Sequence, residues 1–322
     1  MVTAILWSLA GLAALVVGAE LLVRGGSALA ARLGISPLLI GLTVVALGTS
    51  MPELAVGIDA ATKGNGSLAV GNIAGTNTVN ILLILGLSAA LQPLAIRMET
   101  LRLELPVIVI ASAALLLCAW DGLLTRFEGL VLLTMGIGFT LAVIRLARRE
   151  SAAVAQEFAR EFGPPRRADR QAIMDALKLA AGIVVIVTGA DWLVDGAIVL
   201  ARLWHVSDAF IGLTIVAIGT SMPELVTTIL STIRNERDIA IGNLIGSSVY
   251  NILVILGLTC LFPVAGITVN PHLIAVDIPV MLGVALLCVP IFISGREISR
   301  WEGLFFVGSY AVYLGYLITA RA

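Results

Sequence analysis

Charge is what this sequence has least of. Lys, Arg, Asp and Glu make up 13% of the chain, where a soluble domain carries about a quarter. With 59% hydrophobic residues and a mean hydropathy of +1.04, the chain leaves no room for a separate soluble domain. Histidine is nearly absent. His205 and His272 both sit at expected helix ends, which argues against a transition-metal centre and against a membrane protease needing a deep histidine. Cys118, Cys260 and Cys288 lie in apolar stretches with no metal or redox spacing, and read as buried thiols. No Lys or Arg precedes the first apolar run, MVTAILWSLAGLAAL, and no small-residue cleavage site follows soon after. That run reads as a first membrane helix rather than a removable signal.

What is present is a series of apolar runs, each long enough, at about 20 residues, to cross a bilayer. Their breakers place ten helices near 2–23, 36–62, 67–91, 103–120, 125–146, 172–203, 207–233, 238–262, 273–294 and 300–320. The one long polar stretch, 147–170, contains Pro164 and Pro165 and reads as a linker, with room for a short surface helix. The halves match at a constant offset of 171: Gly18 with Gly189, Glu53 with Glu224, Asn72 with Asn243, Asn80 with Asn251, Gly86 with Gly257. The match continues, with small insertions, from Glu104-Leu105-Pro106 to Asp277-Ile278-Pro279 and from Arg126 to Arg300.

The expected fold is therefore an all-α polytopic membrane protein of two five-helix repeats, 1–146 and 172–322, joined by a linker at 147–171. Because five is odd, the second repeat enters from the opposite side. Inverted repeats are a transporter architecture with sites near the midplane. Of the 20 Lys and Arg residues, all but Lys63, Arg126, Arg202 and Arg321 fall on the linker's side. The positive-inside rule then makes the linker cytoplasmic and puts both termini outside.

The chemistry sits in a segment written twice, IGLTVVALGTSMPEL from Ile40 and IGLTIVAIGTSMPEL from Ile211. Each copy holds a glutamate inside an apolar run, and a carboxylate at membrane depth marks a functional site. Pro52 and Pro223, each following a Gly-Thr-Ser-Met run, open their helices. The carbonyls of Gly48, Thr49, Gly219 and Thr220 are thereby freed, and such carbonyls are tolerated only inside protein or in a wet cavity. A packing kink explains a lone proline; a proline followed by glutamate, twice, calls for a site.

Asn72, Thr76 and Asn80 are four apart, as are Asn243, Ser247 and Asn251, so each trio lines one stripe of its helix. For Asn72 and Asn243 interhelical hydrogen bonding is the favoured reading. For Asn80 and Asn251 it competes with cation binding. Gly71/Gly75 and Gly242/Gly246 carry GxxxG spacing, which close helix packing explains. Two carboxylates with hydroxyl, amide and main-chain oxygens suit Ca2+ or Na+. Among the other acids, Glu104 and Asp277 are candidates for an access path, Glu128 and Glu302 read as interfacial anchors, and Asp59 as wet or vestibular.

GTSMPE with GNIAGTNTVNILLILG, repeated as GTSMPE with GNLIGSSVYNILVILG, resembles the paired alpha-repeats of the sodium/calcium exchanger family, within the cation/Ca2+ antiporter superfamily. The resemblance covers essentially the whole chain. It implies ion ligands at Thr49, Ser50, Glu53, Thr76 and Asn80, and at Thr220, Ser221, Glu224, Ser247 and Asn251. Asn251 stands where several relatives, including the potassium-dependent branch, have aspartate, so two fixed acids remain. Asn77 is paired with Ser248, so the halves differ chemically. The large Ca2+-sensing insert of animal exchangers is missing, as expected for a prokaryotic type in the plasma (inner) membrane.

The expected function is Ca2+/Na+ antiport by alternating access, with lipid, Ca2+ and Na+ as partners and no resident cofactor. A Ca2+/H+ antiporter is the nearest alternative, and a passive cation pore a more distant one.

Overall fold

A computed structural model of the chain describes residues 2–33, 37–96, 98, 100–162, 170–203 and 217–321. Among them, eight helices are long and apolar enough to cross a membrane. These are α1 (Val2–Leu33), α4 (Gly66–Leu91), α5 (Thr100–Cys118), α6 (Arg126–Phe162), α7 (Arg170–Leu203), α10 (Arg237–Thr259), α11 (Leu273–Ile293) and α12 (Arg300–Arg321). A ninth span is broken: α2 (Leu38–Thr49) and α3 (Met51–Thr62) meet at a 40° bend. In the second half, α8 (Ala217–Thr220) and α9 (Met222–Ile233) occupy the corresponding place. The first part of the span expected at 207–233 lies outside the described residues, as do His205, Arg97 and the 163–169 part of the linker.

Two boundaries differ from expectation. Helix α1 continues ten residues further, to Leu33, so its 32 residues reach about 48 Å at 1.5 Å each, well beyond the hydrocarbon core. Ion pairs hold the extension: Glu20 with Arg24 and Arg234, and Asp175 with Arg32 at 2.7 Å and Lys178 at 3.1 Å. Helix α6 likewise runs through the first part of the expected linker, to Phe162.

Helices α1 and α7 show the inversion directly. They are repeat equivalents, yet Gly11 lies against Gly189, Gly18 against Gly182, and Gly196 against Ala4, so they run antiparallel. Glycines at 11, 18, 25 and at 182, 189, 196 put one glycine every second turn on each facing stripe. A Cβ at Gly18 would stand 2.6 Å from the Ile186 backbone nitrogen, and one at Gly182 2.5 Å from that of Leu22. Only glycine allows this approach.

The centre belongs to α4 and α10, whose apolar windows are 78% and 94% buried against 39% or less for the other long spans. Gly242 and Gly246 of α10 meet the α2 backbone at Leu38 and Leu42, as GxxxG spacing implies. The partner that symmetry gives Gly71 and Gly75 falls in 204–216, outside the described residues. On the periphery, α12 packs on α4 where Gly86 meets Gly303 and Phe306. The symmetric pair is α6 on α10, where Gly129 meets Gly257 and Cys260.

Four two-residue strands qualify the all-helical expectation. Strand β1 (Leu94–Ala95) pairs antiparallel with β4 (Glu297–Ile298), and β2 (Leu123–Leu124) with β3 (Ile267–Thr268). In repeat terms β1 is equivalent to β3 and β2 to β4, so each ribbon ties one repeat to the other.

Glu128 and Glu302, expected as interfacial anchors, cap the helices they begin. Glu128 accepts from the Thr125 backbone N–H at 2.7 Å and its hydroxyl at 2.9 Å; Glu302 does the same with Ser299 at 2.8 and 2.7 Å. The Glu128 and Glu302 N–H groups return bonds to those hydroxyls, completing capping boxes. Glu128→Ala or Glu302→Ala is expected to cost about 1 kcal/mol of stability, read as a lower melting temperature in detergent. An unchanged melt would contradict the assignment.

Candidate functional site

Each broken span is interrupted at its serine. Ser50 (φ −83°, ψ 9°) and Ser221 (φ −87°, ψ 3°) leave helical geometry, and Pro52 and Pro223 fall in the first turn of α3 and α9. Proline is tolerated there because a first-turn N–H has no intrahelical partner. Glu53 and Glu224 therefore sit at helix N-termini, where the positive end of the macrodipole favours a carboxylate.

The facing helices change their winding at the same depth. Helix α4 takes π-helical form over Val79–Leu85 and α10 over Asn251–Leu256, at the level of Asn80 and Asn251. Single π turns frequently mark functional sites because they reset the phase of the side chains around them.

All ten expected ligands fall among the described residues, and all are buried. Glu53 and Glu224 are fully buried. Around Glu224 the first repeat reaches into the second. Ser50 Oγ donates to Glu224 Oε1 at 3.4 Å, and Thr49 Oγ1 donates to Asn243 Oδ1 at 3.1 Å. Thr49 Oγ1 also lies 3.4 Å from Ser247 Oγ, which donates to the Ala46 carbonyl at 3.3 Å. Asn243 thus supports the hydroxyls through hydrogen bonds, its Nδ2 going to Thr228 Oγ1 at 3.1 Å.

The half around Glu53 is arranged differently. Among the described residues, both Glu53 oxygens, Thr76 Oγ1, both polar atoms of Asn80 and Ser221 Oγ have no hydrogen-bond partner. Nor do Glu224 Oε2 and Asn251 Oδ1. Buried polar atoms are nearly always satisfied, so this concentration of unpartnered oxygens is a donor set for a ligand. It is oxygen-rich and free of sulfur and imidazole, which suits a hard cation. Among the described residues no three His, Cys, Asp or Glu gather, leaving the two carboxylates as the charged core.

Asn77 stands between the ligand candidates Thr76 and Asn80, and its sequence motif alone assigns it no role. It joins the repeats, donating to the Ser248 carbonyl at 2.9 Å and accepting from Asn251 Nδ2 at 3.2 Å. Asn251 therefore makes an interhelical bond, while among the described residues its Oδ1 stays unpartnered and Asn80 makes none. Glu104 and Asp277 are buried, and Asp277 accepts from Tyr313 on α12 at 2.8 Å. Asp59 is exposed and paired with Lys63 at 2.8 Å.

Two interlocked repeats, broken helices and a buried oxygen site define a membrane transporter rather than an enzyme. The comparisons agree. A family model described as sodium/calcium exchanger protein matches residues 3–145 and 175–319. Inner membrane protein YrbG of Escherichia coli is 36% identical over 311 residues, covering 95% of this chain and 94% of the relative. Sodium/calcium exchanger MaX1 of Methanosarcina acetivorans is 31% identical over 337 residues, covering 95% and 96%. A solved structure of the sodium-calcium exchanger NCX_Mj, soaked with Na+ and Sr2+, has a TM-score of 0.84 at 27% identity over 98% of both chains. This chain belongs to the sodium/calcium exchanger family.

Proposed function

We propose that this chain is a secondary active antiporter exchanging Ca2+ for Na+ by alternating access at a site centred on Glu53 and Glu224. The observation that carries the reading is the pair itself: two fully buried carboxylates, one from each repeat, among unpartnered oxygens of both repeats. Thr49, Ser50, Thr76 and Asn80 complete the site from one side, and Thr220, Ser221, Ser247 and Asn251 from the other. An unneutralised pair of buried charges is costly. The empty protein is thus disfavoured from crossing between its two faces, and either one Ca2+ or a set of Na+ ions lowers the cost. Mutually exclusive occupancy then makes the movement an exchange. The names of MaX1 and NCX_Mj support these cargoes.

The repeats are assigned as 1–146 and 172–322 in a prokaryotic inner membrane, with 147–171 cytoplasmic and both termini outside. Ca2+ uptake into proteoliposomes tests the coupling. A Na+ gradient is expected to drive uptake, and a pH gradient alone is not. Uptake on the pH gradient alone would assign H+ as the counter-ion. Uptake with neither gradient would make the protein a pore.

A further inference from the structure

Outside the carboxylate site, the hydroxyls of Ser8, Ser27, Ser88, Thr100, Ser112, Thr227 and Ser231 are buried without a partner among the described residues, and three of them lie along one line from Glu224. Thr227 and Ser231 on α9 and Ser88 on α4 are fully buried, and none has a hydrogen-bond partner among the described residues. Serine and threonine inside a helix commonly bond the carbonyl four residues back. Thr232, Ser248 and Thr259 do so at 2.8, 2.9 and 2.7 Å.

Placement gives the three a common direction. Glu224, Thr227 and Ser231 are three and four residues apart, so they share one face of α9. Another face packs Met222, Val226 and Leu230 against Leu15 of α1 and Ile186 of α7. A third meets α10, where Asn243 bonds Thr228. The hydroxyl face is left for residues 79–91 of α4, which pack against α9. On α4, Gly86 faces α12, and Ser88 lies two residues further, across the helix from it. The stripe leads from Glu224 to a polar knot. Gln92 there meets Asn235 at 2.9 Å and lies within reach of the Thr232 carbonyl and the Arg237 guanidinium. The other repeat has no such stripe: an offset of 171 gives Val56, Ala60 and Thr259, and the Thr259 hydroxyl is spent on its own helix.

We propose that Thr227, Ser231 and Ser88 line the passage by which cations move between the two-carboxylate site and the membrane face bearing Gln92, Asn235 and Arg237. The Gln92–Asn235 contact closes that passage in the conformation described. This inference rests on the cation-site reading and deepens it. Hydroxyl oxygens replace part of a hard cation's hydration shell, and unpartnered polar groups at this depth are tolerated where they line a wet path. The two faces of the exchanger then differ, with a hydroxyl-lined route on one side only.

The test uses single-cysteine variants of the full chain with Cys118, Cys260 and Cys288 replaced by alanine. Thr227→Cys and Ser231→Cys are treated in proteoliposomes with a small, membrane-impermeant cationic thiol reagent, and Asn235→Cys marks the face. Both are expected to react from the face that Asn235→Cys reports. No reaction from either face, or reaction only from the opposite one, would overturn the passage. Separately, Ser88→Ala, Thr227→Val and Ser231→Ala combined are expected to slow exchange about tenfold, the scale of one lost oxygen contact to a charge. Equilibrium Ca2+ binding in detergent should stay unchanged. Undiminished exchange would also overturn the proposal. The labelling reads access and not ion identity, so failure of the Ca2+ cargo reading would appear as wild-type protein that binds no Ca2+ while the single-cysteine variants still label.

Discussion

Glu53→Gln and Glu224→Gln are each expected to abolish Ca2+/Na+ exchange while the protein remains folded and monodisperse in detergent. The substitution keeps the shape of the side chain and removes one of the two carboxylate charges that the described residues bring to the site. With a cation bound, the substitution removes one partner of a buried carboxylate–cation pair, a change that typically costs about 3–5 kcal/mol and corresponds to a loss of about 100-fold or more. The fold should not suffer. Both Glu53 oxygens lack a hydrogen-bond partner among the described residues, so no hydrogen bond seen there is broken. At Glu224 the Ser50 hydroxyl donates at 3.4 Å and the Thr49 and Ser247 hydroxyls also interact with the carboxylate, and an amide oxygen can still accept from them. Exchange measured in proteoliposomes, beside the melting temperature of each variant, separates the two effects. Near-normal flux in either variant would sink the two-carboxylate account.

The second large effect is structural. Gly182→Val is expected to prevent α1 and α7 from packing, with a corresponding loss of folded protein. A Cβ there would stand 2.5 Å from the Leu22 nitrogen and 2.8 Å from the Gly18 carbonyl, both backbone atoms that no rotamer change can move. Overpacking in a core costs about 1–3 kcal/mol when side chains can yield, and here the helices themselves must separate. Gly315→Ala provides the contrast, since nothing among the described residues lies within 4 Å of its would-be Cβ. Size-exclusion profiles and melting curves of the two variants read the difference. A well-folded Gly182→Val protein would contradict the close approach.

Much of this architecture is legible in the sequence because duplication writes each signal twice. The 171-residue offset, the doubled GTSMPE and the odd number of spans per repeat carry the two-repeat fold, and the doubled glutamate carries the site. The capping boxes were also written there, as Thr125-x-x-Glu128 and Ser299-x-x-Glu302, although membrane-end acids invite an interfacial reading first. The glycines every seven residues in α1 and α7 were visible as spacing, but not that they face each other. The π-helical turns leave no mark in residue type, since they depend on how α4 and α10 pack at Asn80 and Asn251. Nor does the pairing of β1 with β4 and β2 with β3, which joins loops about 200 or 144 residues apart. Asn77 was noted only as a mismatch with Ser248; its bonds across the repeats depend on tertiary placement.

The central claim is that the two repeats build one cation site between them. Equilibrium Ca2+ binding to the purified protein in detergent tests it most directly, with Na+ as competitor and Glu53→Gln and Glu224→Gln measured in parallel. The account predicts saturable Ca2+ binding that Na+ displaces and that either single substitution removes. Ca2+ binding that survives either substitution at wild-type affinity would show that Glu53 and Glu224 do not share a site.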